Sequence, residues 1–147
     1  MSTNGARMIF PNLAVKDLDR SVAFFTELGF SFDPRFTDEN ATAMVVNEQA
    51  VVMLLTESFF KTFTTKELVD PAKQVETIIA LSAESREDVD AFADKALEAG
   101  GSPAREPMEL GFMYGRSFND PDGHLWEIFW MDPVALERGP AEGAAAP

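Results

Sequence analysis

Two stretches of this chain read alike. Met8 to Val15 is an apolar run followed by Lys16-Asp17-Leu18-Asp19-Arg20-Ser21. Val75 to Ala83 is a second apolar run followed by Glu84-Ser85-Arg86-Glu87-Asp88-Val89. At one constant offset Asp17 falls on Ser85, Asp19 on Glu87 and Phe24 on Phe92. Each stretch spells strand, cap, helix, glycine, so one supersecondary unit is used twice.

The helices carry their own punctuation. Ser85 is a candidate N-cap, with Asp88 where a capping box places an acid. Val89, Phe92, Ala93, Ala96 and Leu97 recur at helical spacing, and Gly100 and Gly101 stop the helix. In the first unit Asp17 is the cap, Leu18, Val22, Phe25 and Leu28 form the stripe, and Gly29 ends it. Strand-like runs follow: Phe30 to Phe36, Thr42 to Val46 and Val51 to Thr56, then Met113 to Phe118 and Leu125 to Trp130, with a weaker strand near Ser102 to Arg105. Asn47-Glu48-Gln49 suits a turn. The expected fold is α+β, with paired βαβββ modules (8–57 and 75–132) forming a curled mixed sheet around one cavity. In the linker 58–74, Thr64 and Glu67 predict a short capped helix, and Phe59, Phe60 and Phe63 need burial.

The run Asn119-Asp120-Pro121-Asp122-Gly123 is a turn with a mechanism. Asn and Asp bond their own backbone, Pro fixes φ, and Gly supplies positive φ. The strand after it, Leu125 to Trp130, carries one acid, Glu127, among apolar neighbours. A carboxylate there needs a cation, a donor or water.

Composition narrows the function. With 147 residues, 46% apolar and 25% charged, the chain fits one domain or two small modules. A net charge of −13 argues against nucleic acid and anionic membranes, both of which demand a basic face. There is no cysteine, hence no disulfide, thiolate zinc site or thiol nucleophile. No apolar run approaches the roughly 18 residues of a membrane span. A cytoplasmic location is the expectation. Residues 1–7 and 138–147 are expected to be disordered.

These features resemble the vicinal oxygen chelate superfamily, which includes glyoxalase I, extradiol dioxygenases, fosfomycin-resistance enzymes and bleomycin-binding proteins. The resemblance rests on the paired modules, the Asp17-Leu18-x-x-Ser21 helix start and the closing Asp120-Pro121-Asp122-Gly123-x-x-x-Glu127. It covers about residues 8 to 132. A bacterial glyoxalase-like (predicted lactoylglutathione lyase) subgroup is closer still, on Met8-Ile9-Phe10, Phe36-Thr37-Asp38-Glu39-Asn40, Met53 to Glu57, Ala80-Leu81-Ser82 and Gly111 to Phe118. The family implies a divalent metal held by four strands, a small-molecule substrate and a homodimer. Its ligand positions fall here on Phe10, Ile78 and Met53 or Leu54, none of which binds a metal, and on Glu127. One carboxylate is not a divalent-ion site.

The site expected from the sequence therefore has Glu127 as its acid, in a catalytic or metal-ligating role, and a pocket of Phe10, Asn12, Met44, Met53, Glu76, Ile78, Tyr114 and Arg116. No cofactor is expected. If a metal (Mg, Mn, Ni or Zn) binds, a shifted set of Asn12, Glu76 and Glu127 is the candidate. The competing reading of Glu127 is a salt bridge to Arg116 or Arg105. Tyr114 and Arg116 suit a planar or anionic group, or else an acid of the chain itself. His124, the one histidine, is expected at the surface or behind the site, and Trp126 and Trp130 against helices. Three functions follow: a metal-independent small-molecule binding or sequestering protein, a glyoxalase-type lyase or isomerase with a rearranged site, and a protein-interaction module.

Overall fold

A computed structural model describes residues 7–139. The elements run β1 (Asn12–Val15), α1 (Leu18–Glu27), β2 (Ser31–Phe32), β3 (Ala41–Asn47), β4 (Ala50–Thr56), α2 (Glu57–Phe60), β5 (Ile78–Ser82), α3 (Arg86–Glu98), β6 (Ser102–Pro103), β7 (Met108–Glu109), β8 (Met113–Asn119), β9 (Leu125–Met131) and α4 (Pro133–Arg138). Short 3-10 turns lie at Pro34–Phe36 and Lys61–Phe63. The chain is α+β and divides into two compact units between Leu68 and Val69.

The first unit has a four-stranded mixed sheet in the order β1-β4-β3-β2. β1 runs parallel to β4 with Asn12 opposite Met53, and β3 antiparallel to β4 with Ala43 opposite Met53. Alternation then sorts the side chains. Leu13, Val15, Met44, Val52 and Leu54 are buried, as are Phe24 and Phe25 of α1. Phe10, Asn12, Ala43, Val45, Val51 and Met53 belong to the other face. The Asp17 carboxylate caps α1 by accepting from the Arg20 N–H.

The second unit repeats the plan with five strands, in the order β5-β9-β8-β6, and β7 also on β8. β5 is parallel to β9 and β8 antiparallel to it. α3 covers one face, where Val89, Ala93 and Ile128 pack with Leu81, Phe92, Tyr114 and Trp130. The Ser85 hydroxyl accepts from the Asp88 N–H, and the Asp88 carboxylate reaches back to the Glu84 N–H. The capping box is present, but its return bond lands one residue early.

Several boundaries differ from the expectation. One curled sheet was expected; the described strands pair as two, one per unit. The run Phe30 to Phe36 forms only the two-residue β2, because the Asp33-Pro34 step turns the chain: Asp33 caps a 3-10 turn at the Arg35 N–H. The expected helix at Thr64–Glu67 is absent. Thr56 instead caps the four-residue α2 through the Phe59 N–H. The strand near Ser102 to Arg105 ends at Pro103, which offers no N–H. Of the expected disordered ends, residues 1–6 and 140–147 lie outside the described set, while Arg138 closes helix α4. No described helix is long and apolar enough to cross a membrane.

Candidate functional site

The first unit opens a cavity of about 480 Å³ on the sheet face away from α1, lined by Met8, Phe10, Phe36, Ala43, Val45, Val51, Met53, Asp33 and Arg35. Strand alternation makes it apolar: Val51 and Met53 of β4, and Ala43 and Val45 of β3, are the off-core residues. Phe10 and Phe36 stand 50% and 59% exposed at its walls, an apolar display that a small ligand would cover. At one edge Asp33 and Arg35 form a two-point ion pair, Nε to Oδ1 at 3.1 Å and Nη2 to Oδ2 at 2.7 Å. The Arg35 guanidinium also lies 5.5 Å from the Phe36 ring centre. Arg35 holds the Asp33 carboxyl below its ordinary value, and Asp33 raises that of Arg35. The rim therefore carries two opposite charges that cancel.

In the second unit one row crosses three strands: Ala80 of β5, Glu127 of β9 and Ser117 of β8 are mutual partners. This face lies away from α3. Arg105, in the loop after β6, places Nη2 at 2.8 Å from Glu127 Oε2, and its own backbone N–H donates to Ser117 Oγ at 3.1 Å. The Glu127 side chain is 20% exposed and that of Arg105 44%.

The structure distributes the expected residues as follows. Phe10 and Met53 share the first unit's cavity. Met44 does not line it: its even position on β3 sends it into the core, fully buried. Asn12 is exposed on β1 and its Nδ2 donates to the Phe10 carbonyl at 2.7 Å. Ile78 begins β5 and is exposed. Glu76 lies in an exposed bend before β5, not on the strand.

Tyr114 and Arg116 are not beside Glu127. Glu127 pairs with Ser117, so the residues on either side of Ser117 in β8 face α3. There the Tyr114 hydroxyl donates to Asp90 Oδ1 at 2.7 Å. Arg116 Nη1 lies 3.1 Å from that oxygen and 2.9 Å from Asp94 Oδ1. The Tyr114 bond, with Arg116 second, holds the Asp90 carboxyl low. Asp90 in turn raises the Tyr114 phenol. The pair anchors α3 to the sheet. Of the two arginines weighed as partners of Glu127, the structure selects Arg105.

His124 is buried rather than at the surface, and its backbone N–H donates to Asp120 Oδ1. Trp126 and Trp130 pack as expected, Trp126 wholly buried and Trp130 against the α3 core. The residues that the sequence did not single out are Ser117 in one unit, and Asp33, Arg35 and Phe36 as rim and wall residues in the other. Asp33-Pro34 was the available signal, since it ends a strand where a rim residue can sit. Arg105 was weighed only beside Arg116, because it belongs to a loop without periodicity that would choose between them.

Among the described residues no three His, Cys, Asp or Glu side chains gather where an ion could be held. Of the expected trio of Asn12, Glu76 and Glu127, Asn12 donates to the Phe10 carbonyl, Glu76 lies in an exposed bend and Glu127 is engaged by a guanidinium.

The family model of the Glyoxalase/Bleomycin resistance protein/Dioxygenase superfamily matches residues 7–128. Among solved structures the chain is similar to a hypothetical protein of S. aureus, at 30% identity over 85% of this chain and 93% of that one, with a TM-score of 0.73. It is also similar to a glyoxalase-related enzyme from Fulvimarina pelagi, at 20% identity over 85% and 88% of the two chains and a TM-score of 0.73. A glyoxalase/bleomycin resistance protein/dioxygenase family enzyme from Burkholderia phytofirmans aligns at 15% identity over 86% and 99%, with a TM-score of 0.72. The last two likenesses are of fold. No curated protein matches the chain.

Proposed function

The chain belongs to the Glyoxalase/Bleomycin resistance protein/Dioxygenase superfamily, and from that premise we propose that it binds or sequesters a small organic molecule without a metal. The observation that carries this reading is the apolar cavity of the first unit, about 480 Å³ and walled by Phe10, Phe36, Val45, Val51 and Met53. Its volume falls in the range of small-molecule pockets, and its walls are mostly aliphatic and aromatic with few polar groups. The rim ion pair gives it no net charge, so an uncharged, largely apolar ligand suits it. Met53 adds a side chain that reshapes easily around irregular ligands.

Two further points support a metal-free site. The positions at which the family resemblance expects ligands hold Phe10, Met53 or Leu54, and Ile78. The remaining acid, Glu127, is neutralised by Arg105. The lyase alternative gains no support here, since the Glu127 carboxylate is already paired with Arg105. Homodimer formation and a cytoplasmic location belong to this proposal; sedimentation equilibrium reads the first.

The test is titration with the uncharged fluorescent probe N-phenyl-1-naphthylamine, alongside thermal shift with Mg²⁺, Mn²⁺, Ni²⁺ and Zn²⁺. Saturable probe binding, abolished by Met53→Lys in folded protein, and no metal-induced shift are expected. Stoichiometric metal that is lost in Glu127→Ala would overturn the reading in favour of a relocated chelate.

A further inference from the structure

We propose that the buried Thr42 hydroxyl is a positioning group for the first unit's cavity: acting through Thr37 and Asp33, it holds the Phe36 ring in the wall that a ligand meets. The proposal rests on that cavity being the ligand site.

Thr42 is 1% exposed and lies on β3 between Ala41 and Ala43. Its strand partner is the buried Leu54, so it faces the core, whereas Ala43, opposite Met53, faces the cavity. A hydroxyl among core side chains is costly unless it is bonded. The Thr42 bond does not go to the core. It goes to Thr37 Oγ1, at 2.8 Å, and Thr37 is an exposed residue just after the 3-10 turn Pro34–Phe36. The order of the protons follows from the acceptors. Thr37 Oγ1 donates to the Asp33 carbonyl at 2.8 Å. A hydroxyl has one proton, so Thr42 is the donor to Thr37. Valine would match the shape of Thr42 but not this bond.

The turn has little else to hold it. None of its three residues is buried. Its ends are tied by backbone: the Asp33 N–H donates to the Ala43 carbonyl and the Asp38 N–H to the Ala41 carbonyl, each at 2.9 Å. Three consecutive residues of β3 therefore hold the turn, two by their carbonyls and Thr42 by its side chain. Between those ties Asp33 organises the rest. Its carbonyl accepts from the Phe36 N–H as well as from Thr37. Its carboxylate accepts from the Arg35 N–H and pairs with the Arg35 guanidinium, which lies over the Phe36 ring.

The relay thus runs from a core hydroxyl to an exposed aromatic ring. Without the Thr42 proton, Thr37 is anchored only to Asp33, and the turn loses its side-chain tie to β3. A ring that swings freely must be ordered each time a ligand binds, which subtracts from affinity; a ring already in place costs nothing then.

The experiment is titration of N-phenyl-1-naphthylamine into wild-type protein, Thr42→Val, Thr42→Ser, Thr37→Val, and Phe36→Ala with and without Thr42→Val. Thr42→Val is expected to weaken the probe about threefold to tenfold, the scale of one lost hydrogen bond. Thr42→Ser keeps the hydroxyl and should restore the affinity. In the Phe36→Ala background Thr42→Val should add nothing, because no ring is left to place; a merely structural threonine would weaken the probe equally in both backgrounds. Should Thr42→Val fail to fold, Thr37→Val breaks the relay at an exposed position and should weaken the probe to the same extent. Wild-type affinity in these valine variants overturns the proposal, as does an undiminished loss in the Phe36→Ala background. If the wild-type protein takes up no probe, the cavity reading falls by itself. The relay is then judged on backbone amide shifts of the unliganded protein, where Thr42→Val should move Arg35 and Phe36, and unmoved signals overturn it.

Discussion

Trp126 Nε1 donates to Asp120 Oδ2 at 3.0 Å, so the first buried residue of β9 is bonded to the residue that opens the turn before it. Asp120 Oδ1 meanwhile accepts from the backbone N–H groups of Asp122, Gly123 and His124. A single carboxylate thus organises the turn and fixes the register of the strand that carries Glu127. Asp120→Ala removes a shared acceptor from four donors, three of them on buried residues. The expected cost is about 2–4 kcal/mol, read as a lower urea midpoint at an unchanged slope.

Burial pushes the Asp120 carboxyl up, while the nearby His124 and the Trp126 bond pull it back. A raised native value means the folded state holds the proton more tightly than the unfolded one. Stability from this group therefore falls as pH rises from the unfolded value through the folded one. Asp120→Asn should flatten that part of the curve in chemical denaturation at pH 4 to 7, numbers set by the ordinary carboxylate range (roughly 4) and neutrality.

Asp90, Asp33 and Glu109 behave oppositely. Tyr114, Arg35 and Arg86 respectively are the leading cause holding each below its ordinary value. Their contribution is present above the unfolded value and lost as pH falls through the folded one. Asp90 and Glu109 are about half exposed, so their effect is small. Tyr114→Phe should shallow the acid limb of the stability curve below about pH 4 while leaving the limb near neutrality in place.

Gly123 has φ +106°, and a Cβ there would lie 2.6 Å from the Pro71 carbonyl oxygen and 2.8 Å from its carbon. Backbone on both sides cannot yield cheaply. Gly123→Ala combines a left-handed non-glycine residue with that clash, and should cost about 2 kcal/mol or more in thermal or urea unfolding. A loss under about 0.5 kcal/mol, the scale of a surface change, would contradict the close approach.

Phe36→Ala separates binding from folding. Phe36 is exposed at the cavity wall, so truncation should change stability by no more than about 0.5 kcal/mol. Affinity for the uncharged naphthylamine probe should fall severalfold, because the ring and the Arg35 that lies over it both contribute to the wall. Equal affinity in the two proteins would place the ligand elsewhere.

How much of this could be read beforehand follows from the range of each interaction. Caps act over three or four residues, so Asp17 and Ser85 announced both helices, and Asp120 to Gly123 announced the turn. Strand alternation placed Trp126 and Trp130 opposite Glu127 for the same reason. The errors are also physical. Tyr114 and Arg116 suit a ligand chemically, but which side of β8 they occupy depends on the pairing of Ser117 with Glu127, a register that no local signal encodes. Met44 was lost to the same ambiguity on β3. The Asp132 cap with Pro133 at the first helical position was a legible start for α4 that the terminal composition obscured. Arg105 reaches Glu127 across 22 residues, and only the folded chain selects it over Arg116.

The alternation on β8 has a consequence for change over time. Tyr114, Arg116 and Phe118 hold α3, while Gly115 and Ser117 face the other way and are themselves buried. Substitution on β8 is therefore constrained on both sides. On the same face as Ser117, the exposed Ile78, Ala80 and Ser82 of β5 are free to change, so a chain built this way can drift at its outer strand and keep folding while its middle strands stay fixed.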